Sequence, residues 1–269
     1  MDTEMKAMNP RRFWNPFGAE YGWRPQWNFL ERIYIRLFGV VDLPSRLRAR
    51  LVLHSIRGLP AKTFLDFGFG TGCYSFYLAR QPAAKVYSID IDASRINDCQ
   101  KIASQTGQKN ITFLTGSGHE GLQSLHSECL DMVLAIEVLQ YVPDLNLYLL
   151  ELYRLLTSGG YLVGHVPAFG YLRESEQTLF DEVVITELLT QAGFEIKLIT
   201  PTFGSSIRQL CEVFDWLTRS RLMVGLFFPF LMLASNFCRV ASPNGNSRMF
   251  IAQKPIKPLA ETCPASPAL

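Results

Sequence analysis

Three glycines at alternate positions, Gly68, Gly70 and Gly72, follow an apolar run that contains Asp66. Glycine is favoured where the backbone takes a positive φ or where a ligand must touch the main chain. A helical pattern begins at about Cys73, and a helix start offers free N–H groups and a partial positive charge. The stretch therefore predicts a buried strand, a tight turn and a helix, with room for a ligand at the carboxyl edge of a sheet.

The spacing of these glycines narrows the choice of ligand. A dinucleotide fingerprint, G-x-G-x-x-G, requires a glycine where this chain has Cys73, and the Gly-Lys-Ser/Thr of a P-loop does not follow. The pattern Asp66-x-Gly68-x-Gly70-x-Gly72 instead resembles the first motif of class I S-adenosylmethionine-dependent methyltransferases. The alternative interpretation is a glycine-rich turn that binds no ligand.

A second acidic position lies one strand further along. The run from Lys85 to Asp90 predicts a strand, and its terminal carboxylate comes about twenty residues after the glycine turn. A carboxylate at this place in an α/β fold can hold both ribose hydroxyls of a nucleoside. Asp92 is better placed to cap the next helix, which we expect over 93–105. We therefore interpret Asp90 as a ribose-binding residue.

The composition limits the classes of protein to consider. Of the 269 residues, 48% are apolar and 19% are charged, which suits a large folded domain with a sizeable core. The net charge of +2 gives no general indication of nucleic-acid binding. Residues 1–60 are the basic part, with ten Lys and Arg against five Asp and Glu.

Cysteine and histidine usage indicates a reduced protein without a metal site. The six cysteines contain no C-x-x-C pair, and the four histidines have no metal-ligand spacing. The first twelve residues are polar and contain no apolar signal core. We therefore expect a cytoplasmic location, with membrane association left open, rather than secretion.

Strand and helix patterns alternate from Lys62 onwards, which predicts an α/β fold. The expected strands are residues 63–67, 85–90, 111–114, 132–137, 161–166, 194–199 and 248–253. We divide the chain into an N-terminal arm and helical cap (1–60), an S-adenosylmethionine-binding α/β domain (61–201), an apolar helical insertion (202–246), the final strand of the sheet (247–255) and a flexible tail (256–269).

The N-terminal part leaves several alternatives open. Residues 1–28 are irregular and rich in tryptophan and arginine, which fits either an arm packed on the domain or a lid over a substrate pocket. Two helices are expected, one over 29–40 with Leu30, Ile33, Leu37 and Val40 along one side, and one over 43–59. The arginines of the second helix indicate a solvated face or, alternatively, a surface for phosphate or anionic lipid.

The most apolar stretch, residues 222–238, lies in the insertion. As one helix its seventeen residues would reach about 26 Å, against roughly 30 Å of bilayer hydrocarbon, and Pro229 would break it. We therefore favour two short helices that cover an apolar acceptor pocket. The alternative is peripheral contact of 222–238 with a membrane surface, helped by the basic N-terminal arm.

Later motifs extend the resemblance to class I methyltransferases over about 62–193. They are the acid-ending second strand, the fourth-strand run 130–144 with Glu137, and the unit 152–162, in which Gly159-Gly160 ends a helix before strand five. The resemblance implies a Rossmann-like, seven-stranded, mainly parallel sheet with an antiparallel final strand and helices on both faces. It also implies S-adenosyl-L-methionine as the cofactor.

The resemblance further implies which residues bind the cofactor. These positions are Asp66, Gly68, Gly70, Gly72, Asp90, Ile91, Ser117, Gly118, Glu137 and Val138. Asp66 and the glycine backbone would hold the methionine part, whereas Asp90 would hold the ribose. Ile91 would lie against the adenine, with Ser117 and Gly118 at its border. Glu137 and Val138 would lie near the entrance to the acceptor site.

The implied reaction is an in-line displacement at the sulfonium methyl. Alignment alone can supply effective molarities of about 10⁵ M or more, and a general base is needed only for a hydroxyl or a protonated amine acceptor. The catalytic candidates are His165, Glu137 and Tyr141, with His119 as a further base. His165 lies at the ligand-facing end of strand five, and its alternative is a structural histidine.

The leading hypothesis is methyl transfer to a small or lipid-like acceptor, such as a lipid, isoprenoid, glycan precursor or secondary metabolite. We expect a monomer or homodimer that binds no nucleic acid. An RNA methyltransferase stays open because residues 1–60 are basic, although no RNA-binding module is appended. A non-catalytic cofactor-binding protein is the third hypothesis, because Ser117 and Tyr141 stand where many members have an acid and a histidine.

Overall fold

A seven-stranded sheet forms the centre of the protein. The computed structural model of the chain describes residues 29–39, 41–116, 118–168 and 180–256. The strands are β1 (Thr63–Phe67), β2 (Lys85–Asp90), β3 (Ile111–Thr115), β4 (Leu130–Ile136), β5 (Leu156–Pro167), β6 (Glu195–Thr202) and β7 (Ser247–Gln253). Their order is β3-β2-β1-β4-β5-β7-β6, and only the pairs that involve β7 are antiparallel. The predicted sheet is therefore confirmed.

Helices cover both faces of this sheet, as expected. In the described part of the chain they are α1 (Phe29–Phe38), α2 (Leu43–Ser55), α3 (Cys73–Ala79), α4 (Ala93–Thr106), α5 (Gly118–Gln123), α6 (Leu145–Leu155), α7 (Glu182–Gln191), α8 (Ser205–Leu217) and α9 (Arg221–Ser235). One apolar core cluster joins α2, α3, α4, α8 and α9 to the sheet, and the other joins α5, α6 and α7 to it. The sheet is thus the middle layer of a Rossmann-like fold.

Aspartate side chains fix where several elements begin. Asp92 accepts two backbone N–H groups in the first turn of α4 and caps that helix, as predicted. Asp144 caps α6 in the same way. Asp131 of β4 accepts the N–H groups of Lys62 and Thr63, both at 2.9 Å. This last contact aligns β4 with the start of β1.

Gly159 and Gly160 lie within β5 and do not end a helix, so that prediction was wrong. α6 stops at Leu155, and β5 begins at once with Leu156. Gly159 has a φ of +81° and donates its N–H to the carbonyl of Lys254 at 3.0 Å. The extended segment pairs with the chain that leaves β7, which satisfies backbone groups that would otherwise lack partners.

The arginines of α2 do not form a solvated face, contrary to the sequence prediction. Arg46 and Arg50 are almost completely buried. The Arg46 guanidinium lies over the Phe228 ring, 5.3 Å from its centre. Arg50 donates to the carbonyl of Ser235 and to the side chain of Asn236, both at 3.2 Å, at the end of α9 where helix carbonyls attract a cation. These contacts attach α2 to the insertion.

The apolar stretch of the insertion forms one helix and not the two short helices that we expected. α9 runs through Pro229 over fifteen residues. A proline leaves the carbonyl four residues earlier without its N–H partner. That carbonyl, of Gly225, accepts the Tyr34 hydroxyl of α1 at 2.7 Å, which replaces the missing bond. Among the described helices, none has the length and apolar character needed to cross a bilayer.

The side of α1 on which the sequence places Leu30, Ile33 and Leu37 is exposed. Ile35 of the same helix is buried. Other expectations lie outside the described residues, namely the arm or lid at 1–28, the positions of Val40 and Ser117 and the tail beyond residue 256.

Candidate functional site

The glycine turn between β1 and α3 has the expected geometry. Gly68, Gly70 and Gly72 have φ angles of +70°, +56° and +78°. This left-handed region favours glycine because a Cβ atom there clashes with the backbone. Gly72 directly precedes α3. The strand, the turn and the helix start are therefore present as predicted, at the carboxyl edge of the sheet.

Two of the three glycines are also needed for the protein's own packing. A Cβ atom on Gly68 would lie 2.3 Å from Cγ2 of Val138, and one on Gly72 would lie 2.9 Å from Sγ of Cys99. A Cβ atom on Gly70 would meet the Arg95 guanidinium, at 3.1 Å. The turn thus lets the segment after β4 approach closely, and contact of its backbone with a cofactor stays a prediction.

Asp66, inside β1, is buried and bonded to the helix that follows the turn. Its Oδ2 accepts the Ser75 N–H at 2.9 Å and the Ser75 hydroxyl at 2.6 Å. Burial raises the pKa of Asp66 to about 7, although the bonds from Ser75 act in the opposite direction. Asp66 does not line the cavity described below, so its contact with the methionine part also stays a prediction.

Asp90, at the end of β2, points at the glycine turn. Its Oδ2 accepts the Gly70 N–H at 2.7 Å, and its Oδ1 accepts the Asp92 N–H at 3.0 Å. A carboxylate has about four lone-pair sites, so each oxygen can accept one more hydrogen bond. The carboxylate therefore joins the ends of β1 and β2 and keeps the capacity to accept two hydroxyl groups.

A cavity of about 530 Å³ opens beside Asp90 and the turn. This volume lies within the roughly 300–1,000 Å³ of small-molecule sites. The residues with a predicted role that line it are Gly68, Asp90, Ile91, Glu137, Val138 and Tyr141. No residue of α8 or α9 is among its lining residues. The insertion therefore does not line this cavity, and its role as the cover of an acceptor pocket stays a prediction.

The cavity wall also contains residues that sequence reasoning missed. Arg95 of α4 pairs through Nε with Asp92 Oδ2 at 3.2 Å, and Tyr148 of α6 also lines the cavity. The sequence contained a signal for Arg95, which follows Asp92 by three positions, because side chains three residues apart on a helix are neighbours. Arg95 and Asp92 also border a smaller hollow of about 250 Å³, which Gly70 and Thr71 line.

Glu137 forms the β4 side of the cavity. It has a φ of +56°, which is uncommon for a residue with a side chain and recurs at functional sites. Its Oε1 lies 2.6 Å from His165 Nδ1 and 3.4 Å from Arg48 Nε, and its Oε2 accepts from Gln140 at 3.4 Å. Burial raises the pKa of Glu137, but Arg48, His165 and Gln140 outweigh it and lower this pKa to about 2. Glu137 is therefore ionised at neutral pH.

His165 is only 1% exposed, and both of its ring nitrogens have partners. Nδ1 faces Glu137, and Nε2 lies 2.9 Å from Oγ1 of Thr202. Burial lowers the pKa of His165, although Glu137 opposes this, so the ring is neutral at pH 7. We assign the proton to Nδ1, which donates to Glu137, while Nε2 accepts the Thr202 hydroxyl. This arrangement favours the structural alternative for His165.

The other candidates occupy different positions. Tyr141 is 60% exposed and lies at the end of a 3-10 turn on the cavity wall. The His119 ring packs against Tyr148, with ring centres 6.0 Å apart. Gly118 begins α5. Catalysis by any of these residues stays a prediction.

The fold and the site together define a Rossmann-like class of cofactor-binding protein. A parallel sheet carries a cavity at its carboxyl edge, beside a glycine turn and a carboxylate at the end of β2, as in nucleoside-binding α/β proteins. A family model described as a methyltransferase domain matches residues 59–200, which is more than half of the chain. The chain belongs to this family of class I S-adenosylmethionine-dependent methyltransferases, and the family implies S-adenosylmethionine as cofactor.

Curated relatives include the ubiquinone biosynthesis O-methyltransferases of Psychrobacter cryohalolentis and Psychrobacter arcticus. Each is 30% identical to this chain over 106 residues, which is 39% of the chain and 41% of the relative. The matched segment therefore spans less than half of the length of these relatives.

Solved structures with similar folds include a putative sarcosine dimethylglycine methyltransferase from Galdieria sulphuraria. Its TM-score is 0.56 at 15% identity, and the match covers 82% of this chain and 88% of that one. Phosphoethanolamine N-methyltransferase 2 from Haemonchus contortus gives a TM-score of 0.55 at 16% identity, and the match covers 76% of this chain and 51% of that one. The [4+2]-cyclase SpnF gives a TM-score of 0.53 at 19% identity, and the match covers 72% of this chain and 75% of that one. At these identities the similarity shows the fold alone.

Proposed function

We propose that this protein transfers the methyl group of S-adenosylmethionine to a small or amphipathic acceptor. The observation that supports this most directly is the Asp90 carboxylate, which accepts the Gly70 N–H at 2.7 Å beside a cavity of about 530 Å³. Membership of the methyltransferase family supports the same activity.

In this proposal the cofactor lies along the ends of β1 and β2. The free lone pairs of Asp90 accept the ribose hydroxyls, and the exposed side chain of Ile91 packs on the adenine. The glycine turn then carries the methionine part. The sulfonium methyl group points toward Glu137 and Tyr141, which line the other side of the cavity.

The acceptor side is built for positioning more than for strong base catalysis. With its pKa lowered to about 2, Glu137 is a weak base, but its Oε2 can accept a hydrogen bond from an acceptor hydroxyl. His165 holds the other carboxylate oxygen and acts as a positioning residue. The relatives named as O-methyltransferases favour oxygen acceptors for the first tests.

Calorimetric titration of the folded protein with S-adenosylmethionine tests the first half of the proposal. We expect saturable binding with a dissociation constant below about 1 mM, the upper end of common Michaelis constants. Formation of S-adenosylhomocysteine with a panel of phenolic, amine and lipid acceptors tests the second half. Absence of binding by folded protein would contradict the proposal, and binding without turnover of any acceptor would favour a non-catalytic role.

The RNA hypothesis has a separate test. Phosphate contacts release counterions, so RNA binding would weaken steeply as salt is added. We expect no such salt-dependent RNA binding. Neither the cavity wall nor the described surface provides an observation that favours RNA as the acceptor.

A further inference from the structure

The insertion carries an apolar surface that the cofactor cavity does not use. Side chains along one side of α9 and the turn after it are each more than half exposed: Leu222, Leu226, Phe230, Leu233 and Phe237. They recur at steps of three or four positions, which places them on one face of a helix. We call these five residues the α9 stripe.

The opposite side of α9 is apolar as well. Phe228, Leu231 and Met232 are buried against the protein core. A helix that is apolar all round is normally buried on every side, and a large exposed apolar surface marks an interaction site. Among the described residues, α1 adds to this surface, because Tyr34 joins α1 to α9 while Leu30 and Leu37 stay exposed.

The charges next to the stripe in the sequence are positive, and the nearest carboxylates belong to Glu31 of α1 and to Glu212 and Asp215 of α8. Residues 216–256 contain no Asp or Glu but five Lys and Arg, and the stretch 222–238 contains no charged residue. Arg219 and Arg239 are exposed and flank the stripe at its two ends. Arg221 is also exposed and lies 3.8 Å from Glu31 of α1. This charge pattern complements an anionic surface.

We propose that α9 docks on an anionic lipid bilayer, with the stripe immersed at the headgroup level and Arg219 and Arg239 directed at lipid phosphates. An apolar helix face with flanking cations is typical of helices that lie in the membrane interface. α9 is about 22 Å long, which suits a position in the plane of the interface and not a crossing. An anionic bilayer satisfies both the apolar and the cationic parts of the surface.

Docking would orient the cofactor cavity relative to the bilayer. Arg46 and Arg50 fix α9 to α2, and Arg48 of α2 lies 3.4 Å from Glu137 on the cavity wall. The membrane surface is thereby connected to the acceptor side of the site. The proposal goes beyond the proposed methyl transfer and does not depend on it.

Flotation of the full-length protein with vesicles tests docking. We expect it to float with vesicles of phosphatidylcholine and phosphatidylglycerol, less with phosphatidylcholine alone, and to be released from anionic vesicles as salt rises. The variant Leu226→Gln with Phe230→Gln is expected to lower partitioning by at least about 10-fold, because it removes two buried apolar side chains from the interface. Leu150→Gln with Val183→Gln, at exposed apolar positions on α6 and α7, is the matched control and should float normally.

A second variant tests the charges. Arg219→Gln with Arg239→Gln is expected to lower binding to anionic vesicles by about 30-fold, at about 1 kcal/mol for each arginine near the surface, with little change on neutral vesicles. S-adenosylmethionine titration of every variant should give the wild-type affinity, because none of these residues lines the cavity. That measurement separates a failure of docking from a failure of the cofactor site.

Three results would overturn the proposal. The first is wild-type protein that stays unbound at every lipid composition. The second is a stripe variant that floats as well as the wild type. The third is light scattering that shows a dimer which the stripe variant makes monomeric, together with no flotation of the wild type, because a second copy of the chain would then occupy the stripe.

Discussion

Asp90 and Glu137 are carboxylates on two sides of the same cavity, but the chain holds them in different ways. Asp90 accepts backbone N–H groups of the glycine turn and of its own following turn, all within about twenty residues. Glu137 is held by side chains from distant elements, Arg48 of α2 and His165 of β5. The β2 side of the site is therefore built from local contacts, and the β4 side from long-range ones.

This difference sets the chemistry of the two sides. Backbone N–H groups orient Asp90 without adding a formal charge, and each carboxylate oxygen can still accept a hydrogen bond from a ligand. Glu137 shares its charge with the Arg48 guanidinium, which lowers its pKa. The first side is suited to bind a nucleoside, whereas the second is suited to hold a polar group in a fixed orientation.

Removal of Arg48 should have a large effect, because it leaves the β4 side without its cation. Breaking a buried ion pair by deleting one partner costs about 3–5 kcal/mol. Arg48 and Glu137 retain about a quarter of their side-chain exposure, so we expect Arg48→Met to lower the free energy of unfolding by about 2–3 kcal/mol at pH 7 in urea. Arg57→Met, at an exposed position just after α2, is the control and should change it by less than about 0.5 kcal/mol.

The pH dependence of this loss gives a second check. The pKa of Glu137 is lowered to about 2 in the folded protein, so its ionised form stabilises the fold above its ordinary pKa of 4.5. That stabilisation is lost as the pH falls from about 4.5 toward 2. The difference between wild type and Arg48→Met should therefore shrink over this range. A difference that stays constant would show that Arg48 stabilises the fold through packing and not through Glu137.

The two sides of the site touch at Gly68 and Val138, and a substitution there should have an effect of similar size. A Cβ atom at Gly68 would lie 2.3 Å from Val138 Cγ2, on a backbone with φ of +70°. We expect Gly68→Ala to cost about 2–4 kcal/mol, from left-handed strain and overpacking together. Adding Val138→Ala should recover the packing part, about 1–3 kcal/mol. If the double variant recovers nothing, the backbone conformation alone requires glycine.

A third carboxylate near the site, that of Asp66, differs from both because it is buried with no cation beside it among the described residues, and we expect it to have a smaller effect on stability. Burial raises the pKa of Asp66 to about 7 in the folded protein, against an ordinary 3.8. The stabilisation linked to its protonated form is fully present below about pH 4 and is lost as the pH rises through 7. Asp66→Asn removes this titration, so the wild type should lose at least about 1 kcal/mol relative to the variant between pH 4 and 7. Parallel stability curves for the two proteins would contradict the buried, uncharged state of Asp66.

The contacts on the β2 side of the site, which are local in the chain, could be predicted from the sequence. The long-range contacts on the β4 side could not. The glycine turn, the cap at Asp92 and the direction of Asp90 depend on residues that are close together in the chain. The contacts of Glu137 with Arg48 and of His165 with Thr202 join residues that no local pattern relates. The sequence therefore named Glu137 and His165 as candidates, but it did not indicate that Arg48 and Thr202 contact them.

The same limit explains the errors in the fold. The sequence predicted a solvated face for the arginines of α2, because their partners, such as Phe228 and Ser235, lie more than 180 residues away in the chain. Pro229 led us to predict a break in the helix, because nothing near it in the sequence replaces the lost hydrogen bond. The hydroxyl that does so belongs to Tyr34 of α1. Periodicity identified the sheet and the helices well, but tertiary contacts decided where α9 and β5 begin and end.

A thermodynamic cycle can measure whether Asp90 binds the ribose of the cofactor, as proposed. S-adenosylhomocysteine and its 2′,3′-dideoxy analogue are titrated into the wild type, Asp90→Ala and the control Asp215→Ala, an exposed position on α8. We expect the wild type and the control to prefer the natural ligand by at least about 10-fold, or about 1.4 kcal/mol, and Asp90→Ala to lose this preference. An undiminished preference in folded Asp90→Ala protein would contradict this proposal.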